Sequence, residues 1–317
     1  MTLRVLVIVG PTAMGKTRLG VEVAHALGSE ILSADSRQVY HGLDLGTGKD
    51  LDEYSVVDPP VPYHLIDIAD PKDVYTLFRY QQDCYEVLRN LAEKPAYGSG
   101  SVPLLMVGGS GLYVEAVIRA YRISDVPEDP DLRQHFESLP TDVLVERLRG
   151  ADADLAGRTD LTSRRRVIRA LEIATAAKKA HVETSEDPGV EIDWRVYSIE
   201  VDREVVRRRV RARLENRLGN GLIDEVRGLL SAGLSHQRLE HLGLEYREIA
   251  AYLAGRKDRR QMVDDLTTAI GRFSKRQSTW FRGMERRGVP ITWIAPGDAQ
   301  RILEDVAEWV GGGDARC

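Results

Sequence analysis

The chain has 317 residues, of which 43% are hydrophobic and 29% charged, enough for one large domain with an attached subdomain or for two domains. Its formal net charge of -5 excludes a protein that is basic overall and binds nucleic acid through bulk charge, but it leaves room for a local Arg-rich surface. Two cysteines and the lack of a long apolar run exclude a disulfide framework, a Cys-rich zinc site and a membrane span, so we expect a soluble cytoplasmic protein.

The first predicted elements are a strand, a loop and a helix. The apolar run VLVIV at 5–9 is hydrophobic on both faces, as a central parallel strand requires. It leads into GPTAMGKT, which fits the phosphate-binding pattern G-x-x-x-x-G-K-[ST] and is followed by helical periodicity up to Gly28. Such a loop surrounds phosphate oxygens with backbone N–H groups, adds a lysine and offers a hydroxyl to Mg²⁺. The predicted phosphate-binding residues are Gly10, Pro11, Thr12, Ala13, Met14, Gly15, Lys16 and Thr17, with Thr17 as the Mg²⁺ ligand.

Short apolar runs continue along the chain and define the expected fold. They predict strands at 31–32, 64–68, 104–107, 196–201 and 291–294. A helical stretch at 76–91 separates two of them, and a Gly- and Ser-rich segment at 95–103 predicts a flexible loop. This alternation indicates an α/β fold, a P-loop doubly wound parallel sheet with a helical insertion subdomain.

The middle of the chain is mainly helical in pattern. Apolar residues repeat with a period near 3.6 at 164–179, 203–232, 246–254 and 260–287. In one of these stretches Val206, Val210, Leu214 and Leu218 form a stripe, and arginines cover the other faces. We therefore expect a P-loop core in two parts at 1–124 and 191–310, a helical insertion at 125–190 and a disordered tail at 311–317.

Two further strand ends carry candidate catalytic side chains. The strand at 31–32 runs into Asp35, and a carboxylate at this edge can hold Mg²⁺-bound water or accept a proton. An isolated Asp would more commonly cap the following turn, but its place beside a P-loop favours function. The strand at 104–107 ends in GGSG, whose glycines allow close backbone approach and whose Ser110 can donate to a bridging or leaving oxygen. Because a P-loop binds any polyphosphate, these residues leave the identity of the ligand open.

Eight motifs together resemble one known family. In order between residues 10 and 282 they are GPTAMGKT, ADSRQVY, GLDLGTGK, PYHLIDIADP, VGGSGLY, RRRVIRALEI, GLIDEV and FSKRQSTWFR. They resemble the tRNA dimethylallyltransferases, also called tRNA isopentenyltransferases, over nearly the whole chain, and ADSRQVY and KRQSTW are far more specific than a P-loop. With two cysteines the chain is similar to the short form, which lacks the zinc finger of eukaryotic relatives.

The resemblance implies a reaction and roles for five residues. The P-loop would hold the diphosphate of dimethylallyl diphosphate, and N6 of adenosine 37, next to the anticodon of tRNA, would attack C1 and release pyrophosphate. Asp35 would hydrogen-bond or deprotonate the N6 amine, while Lys16 and Arg213 would neutralise the diphosphate with Mg²⁺ on Thr17. Ser110, where the family usually has Thr, would contact the leaving oxygen. Leu244 and Glu245 stand where the family more often has Ile and Gly.

The resemblance also implies a surface for the tRNA anticodon stem-loop, because a stacked adenine must be extruded before it can react. The residues it assigns to this surface are Asp35, Ser36, Arg37, Gln38, Arg165, Arg166, Arg169, Tyr246, Arg247, Lys275, Arg276, Gln277 and Trp280. For any one arginine the alternative is a solvated helix face, and for Trp280 a core position. No obligate protein partner is indicated.

Three other functions compete with this one. A P-loop kinase of small metabolites would share the strand, loop and helix but would transfer phosphate from ATP. An adenylate isopentenyltransferase would prenylate a free nucleotide and would not need the KRQSTW helix. An RNA-binding protein that has lost catalysis would have no need of Lys16, Thr17 and Asp35.

Overall fold

The computed structural model describes residues 2–179, 182–185 and 187–311, so the predicted tail lies outside the described residues from 312 onwards. The chain divides into two compact units. The larger unit joins the chain up to Ala120 to the chain from Asp187 onwards, and the smaller unit spans Tyr121–Glu186. The smaller unit occupies the part of the chain where the sequence predicted a helical insertion at 125–190.

The larger unit contains a parallel sheet, as predicted. The described strands are β1 (Thr2–Val9), β2 (Ile31–Ser33), β3 (Tyr63–His64), β4 (Leu104–Gly108), β5 (Glu191–Ile199) and β6 (Ile291–Ile294). Their order is β3-β2-β4-β1-β5-β6, and every pairing is parallel. Because β1 lies between β4 and β5, the loop after Val9 starts near the middle of the carboxyl edge of the sheet, where open α/β sheets bind ligands.

Helices make up most of the rest of the described chain. In the larger unit they are α1 (Lys16–Leu27), a 3-10 helix (Leu51–Ser55), α2 (Leu77–Ala92), α3 (Pro95–Gly98) and α4 (Gly111–Ile118). The smaller unit contains α5 (Pro130–Glu137), α6 (Thr141–Ala151), α7 (Ala153–Arg158) and α8 (Arg164–Lys179). The larger unit then continues with α9 (Arg203–Gly219), α10 (Leu222–Ser231), α11 (His236–Leu242), α12 (Leu244–Leu253), α13 (Arg259–Arg286) and α14 (Ala299–Gly311). None of the helices in these described ranges is both long and apolar enough to cross a membrane.

Side chains of β1 alternate between two hydrophobic clusters, one on each face of the sheet. Val5 and Val7 point into the cluster that holds α2 and α4, whereas Leu6 and Ile8 point into the cluster that holds α1 and α14. This alternation explains why the strand has no polar face. A third cluster buries Val210 of α9 with residues of α10, α11, α12 and α13, and a fourth forms the core of the smaller unit.

Four local predictions differ from the structure, the first being the strand predicted at 196–201, which is Glu191–Ile199. The strand predicted at 64–68 is limited to Tyr63–His64, because Leu65 and Asp67 have φ of 65° and 54°, which ends the extended ladder. The helix predicted at 203–232 is two helices, which meet at Gly221 with φ of 97°. The loop predicted at 95–103 begins with the one-turn helix α3, which starts at a proline.

Candidate active site

The P-loop connects β1 to α1 and takes a conformation that its glycines allow. Gly15 caps α1 with φ of 76°, a region that L side chains rarely adopt. At Gly10, which has φ of 153°, an added Cβ would lie 3.1 Å from the Cβ of Ile199 on β5, so a side chain there would be strained and would crowd β5. Lys16 folds back over the loop and donates from Nζ to the carbonyl oxygen of Pro11 at 2.9 Å. The motif is therefore formed as the sequence predicts.

A polar cavity of about 230 Å³ lies in front of this loop. Residues 12–17 of the P-loop line it, together with Asp35, Gln38, Thr47, Gly48, Asp50, Glu53, Tyr54, Val107, Gly108 and Arg213. Lys16 on α1 and Arg213 on α9 are 197 positions apart in the sequence. Both line this cavity together with Thr17. We call this space the P-loop cavity.

The ammonium of Lys16 is perturbed by its surroundings. Loss of solvent on burial lowers its pKa to about 8. Among the nearby charges, Asp35 and Asp50 favour the protonated amine and Arg213 disfavours it. Lys16 therefore changes charge near neutral pH, and an anion bound beside it would restore the charged form.

A second, larger cavity of about 620 Å³ adjoins the first and shares Thr12, Lys16, Asp35 and Thr47 with it. Side chains of α12, α13 and the start of α4 form its other walls, and many are aromatic or aliphatic. Among these are Leu112, Tyr113, Tyr246, Ile270, Phe273 and Trp280. A charged space that can hold phosphates thus opens into a less polar chamber, and Asp35 faces both.

Asp35 combines the two roles that the sequence left as alternatives. Its Oδ1 accepts a hydrogen bond from the backbone N–H of Arg37 at 2.9 Å, the contact of an Asp that caps a turn. The same carboxylate lines both cavities. The turn contact orients the side chain, so capping and a role toward a ligand are compatible.

The loops after β2 and β4 are bonded to each other through Ser110. Its Oγ accepts from the backbone N–H of Ser36 at 2.9 Å and donates to the Ser36 Oγ at 3.2 Å. An added Cβ at Gly108 would lie 2.1 Å from the carbonyl oxygen of Ala34, so these loops can approach only with a glycine there. Ser110 lines the larger cavity and is not among the residues around the P-loop cavity.

Two predicted RNA contacts, Gln38 and Gln277, use their amides inside the protein. Gln38 accepts from Ser33 Oγ and donates to the Gly48 carbonyl oxygen, each at 3.0 Å. Gln277 accepts from the backbone N–H of Thr12 and donates to the Gly109 carbonyl oxygen, each at 2.9 Å, and is buried. Both amides brace ligand-facing loops, and their contact with RNA stays a prediction.

The remaining predicted RNA residues of the larger unit lie on α12, α13 and the loop after β2. Arg37, Arg247 and Arg276 are exposed and line the larger cavity, whereas Lys275 is exposed but lies outside its walls. Tyr246 is fully buried and donates its hydroxyl to Glu225 at 2.8 Å.

Trp280 is half-buried: it packs against the hydrophobic cluster that holds α2 and α4, and it also lies in the wall of the larger cavity. The guanidinium of Arg287 lies 5.6 Å from the centre of its ring, a distance typical of a cation–π contact. The Nε1 of Trp280 is buried and has no hydrogen-bond partner among the described residues.

Three predicted RNA residues belong to the smaller unit. Arg165 is exposed, and Arg166 is paired with Asp160 at 2.8 Å. Arg169 donates to Glu172 at 3.2 Å and to the carbonyl oxygen of Val126. The helix α8 that carries them begins and ends where the sequence predicted.

Sequence reasoning missed several residues that shape the site. The carboxylate of Glu225 accepts from the backbone N–H groups of Asp44, Leu45 and Gly46 at 2.7–3.0 Å and so fixes the loop GLDLGTGK. Asp50 and Arg217, which lie against the same loop, were also missed. The signal for Arg217 was its position four residues after Arg213, which places both on one side of α9.

Comparison with known proteins identifies the family. The IPP transferase family model matches residues 38–284, and an isopentenyl transferase model matches residues 3–55. A tRNA dimethylallyltransferase 2 from Syntrophotalea carbinolica is 47% identical over 294 residues, covering 93% of this chain and 95% of that protein. A tRNA dimethylallyltransferase 1 from Syntrophus aciditrophicus is 45% identical over 302 residues, covering 95% and 96%. The crystal structure of a full-length tRNA isopentenylpyrophosphate transferase from Bacillus halodurans superposes with a TM-score of 0.68 at 30% identity, covering 98% of this chain and 97% of that one. On these matches, made over nearly its whole length, the chain belongs to the IPP transferase family of tRNA dimethylallyltransferases.

Proposed function

We propose that this protein transfers the dimethylallyl group of dimethylallyl diphosphate to N6 of adenosine 37, next to the anticodon of tRNA, and releases pyrophosphate. The observation that carries the proposal is the pair of adjoining cavities that share Lys16 and Asp35. The P-loop cavity has the cations that a diphosphate needs, and the larger cavity has room and apolar walls for a prenyl chain and a purine. The names of relatives at 45% and 47% identity, both tRNA dimethylallyltransferases, support the same transferred group and a tRNA acceptor.

The charges in the P-loop cavity suit an allylic displacement. As the carbon–oxygen bond of the donor breaks, negative charge accumulates on pyrophosphate, so Lys16 and Arg213 would stabilise the transition state more than the bound donor. Asp35, on the boundary between the cavities, would accept a hydrogen bond or the proton from the attacking N6 amine. Ser110 would reach the leaving oxygen from the larger cavity, with its hydroxyl oriented by Ser36.

The hydroxyl of Thr17, which lines the P-loop cavity, is the group that would hold Mg²⁺. No group of three or more His, Cys, Asp or Glu side chains suited to a metal occurs in the described part of the chain. Mg²⁺ in proteins commonly has few protein ligands and completes its shell with substrate phosphates and water. Bound with the diphosphate, the ion would neutralise part of the leaving-group charge.

The walls of the larger cavity suit an extruded nucleotide. Phe273 is partly exposed, the guanidinium of Arg276 lies 5.7 Å from its ring centre, and Trp280 forms another wall. Aromatic faces stack unpaired bases, and nearby arginines pair with phosphates. An acidic chain of net charge -5 would thus bind RNA through a local surface, and a tRNA substrate implies the cytoplasm.

One incubation separates this function from its competitors. The protein is mixed with Mg²⁺, dimethylallyl diphosphate and either an anticodon stem-loop or AMP, and the products are identified by mass. We expect one dimethylallyl group on the stem-loop, released pyrophosphate and no product with AMP. Prenylated AMP alone would point to an adenylate isopentenyltransferase. Phosphate transfer from ATP would point to a kinase, and RNA binding without any product to a protein that has lost catalysis.

The pKa of Lys16 predicts how donor binding depends on pH. The charged amine, which attracts the diphosphate, predominates below a pKa of about 8, so pyrophosphate affinity should be highest there and should fall as pH rises through that value. The affinity is measured by calorimetry about one pH unit to either side of the pKa. Lys16→Arg is the control, because a guanidinium stays charged and leaves only the titration of pyrophosphate itself. Equal pH profiles for the two proteins would contradict the assignment.

The assigned RNA residues predict a change in salt dependence. Each phosphate contact that is lost should flatten the dependence of log affinity on log salt by about one unit. We expect this from Lys275→Gln and from Arg166→Gln when anticodon stem-loop binding is followed by fluorescence anisotropy. Arg301→Gln on α14, an exposed arginine paired with Asp305 at 3.3 Å, is the matched control. Slopes that stay at the wild-type value in both variants would show that the RNA surface lies elsewhere.

A further inference from the structure

Two arginines of α9 converge on Gly48 in the wall of the P-loop cavity: Arg213 lines that cavity, and Arg217 lines the adjoining larger cavity. A Cβ added to Gly48 would lie 2.4 Å from Nη2 of Arg213 and 1.5 Å from Nη2 of Arg217. Both guanidinium groups therefore lie against the bare Cα of Gly48. Like charges held this close repel each other, so the arrangement needs an anion.

Among the described residues, Asp50 is the carboxylate that is paired with both arginines, while Glu53 also lines the cavity and interacts with Arg213. Arg213 donates from Nη2 to Oδ2 of Asp50, and Nη2 of Arg217 lies 3.7 Å from Oδ1 of the same group, beyond hydrogen-bond distance. Glu245 also faces Arg217, but burial raises the pKa of that carboxyl, which weakens it as a counter-ion. One carboxylate thus serves two arginines.

Arg217 is left short of an acceptor. Its side chain is 11% exposed, and its Nη2 is buried with no hydrogen-bond partner among the described residues. Burial, and after it the neighbouring Arg213, lowers its pKa, yet a guanidinium keeps its proton at any physiological pH. A buried charged donor without an acceptor is costly, and it is a sign of a missing ligand.

We propose that Arg217 is a further donor-binding residue, which binds the diphosphate together with Arg213. Asp50 is then an internal counter-ion of the two arginines, and the diphosphate replaces it when it binds. This inference deepens the proposed function and rests on it. Arg217 itself lines the larger cavity, but the diphosphate is favoured over an RNA phosphate because the groups that Arg217 contacts or adjoins, Gly48, Asp50 and Arg213, all line the P-loop cavity with Lys16. The two guanidinium groups fill the space that a side chain at Gly48 would take, so they can meet at this point of the loop only beside a glycine.

The test is a calorimetric titration of the full chain with inorganic pyrophosphate in the presence of Mg²⁺. Arg217→Gln should weaken binding by about 10-fold or more, the effect of losing one charge-assisted hydrogen bond. Asp50→Asn should tighten it several-fold, because the internal competitor is lost. Arg211→Gln is the matched control on the same helix, since that arginine is 62% exposed and paired with Glu215.

The Asp50 variant keeps the test decisive if Arg217→Gln fails to fold. Asp50 has φ of 47°, which Asn tolerates, and its side chain does not cap the 3-10 helix that follows. An Asp50→Asn protein that binds pyrophosphate more weakly than wild type would overturn the counter-ion role. A folded Arg217→Gln protein with wild-type affinity for pyrophosphate would overturn the donor-binding role, and a loss of stem-loop affinity instead would assign Arg217 to RNA.

These failures differ from a failure of the proposed function. A wild-type protein that transfers the dimethylallyl group but shows no effect of Arg217→Gln would overturn the inference alone. A wild-type protein that binds no pyrophosphate at all would overturn the proposed donor site, and the inference with it.

Discussion

Asp35→Asn should lower kcat by roughly 10²-fold or more and leave donor binding close to wild type. Asparagine can still accept from the backbone N–H of Arg37, so the turn stays formed, but it cannot take a proton or bear the charge that faces the N6 amine. Steady-state prenyl transfer to an anticodon stem-loop measures kcat, and calorimetry with pyrophosphate measures donor-site affinity.

Asp70→Asn is the matched control for this substitution. Asp70 makes the same kind of turn contact, accepting from the backbone N–H of Lys72 at 2.8 Å, but it is exposed and lines neither cavity. We expect wild-type turnover from it. Wild-type turnover from Asp35→Asn as well would remove Asp35 from the chemistry and leave it only the capping role.

Lys16→Ala should weaken the binding of both dimethylallyl diphosphate and pyrophosphate by about 1.5–3 kcal/mol, or roughly 10- to 150-fold. The substitution removes one of the cations around the diphosphate, and because charge grows on the leaving group in the transition state, kcat should fall too. Competition between the donor and pyrophosphate for one site is measured in the wild-type protein first, and the variant is then titrated with each.

The control for Lys16→Ala is Lys72→Ala, which removes an exposed lysine from a loop outside both cavities. Its affinity for pyrophosphate should equal that of wild type. If the wild-type protein bound ATP tightly, hydrolysed it and did not bind the prenyl donor, the P-loop would serve a nucleotide. The kinase function would then be favoured over prenyl transfer.

Local sequence was enough to predict the elements that carry the chemistry. The P-loop is a contiguous strand, loop and helix, so a few adjacent residues specify its shape whatever surrounds it. The edge shared by Asp35 and Ser110 was predictable as well, because parallel strands present their carboxyl ends on one side of a sheet. The sequence alone therefore determined the fold class and the residues at the sheet edge.

Only the tertiary structure decided which distant groups meet there. Thr12 and Gln277 are bonded across 265 positions of the chain, and nothing local to either residue predicts the other. On α9, periodicity correctly marked Val210 and Leu214 as buried but showed of Arg217 only that it lies on another face of the helix. In the structure, the loop that includes Gly48 covers that face and buries Arg217. The sequence could not predict this, because periodicity shows which side of a helix is apolar and not what will cover its polar side.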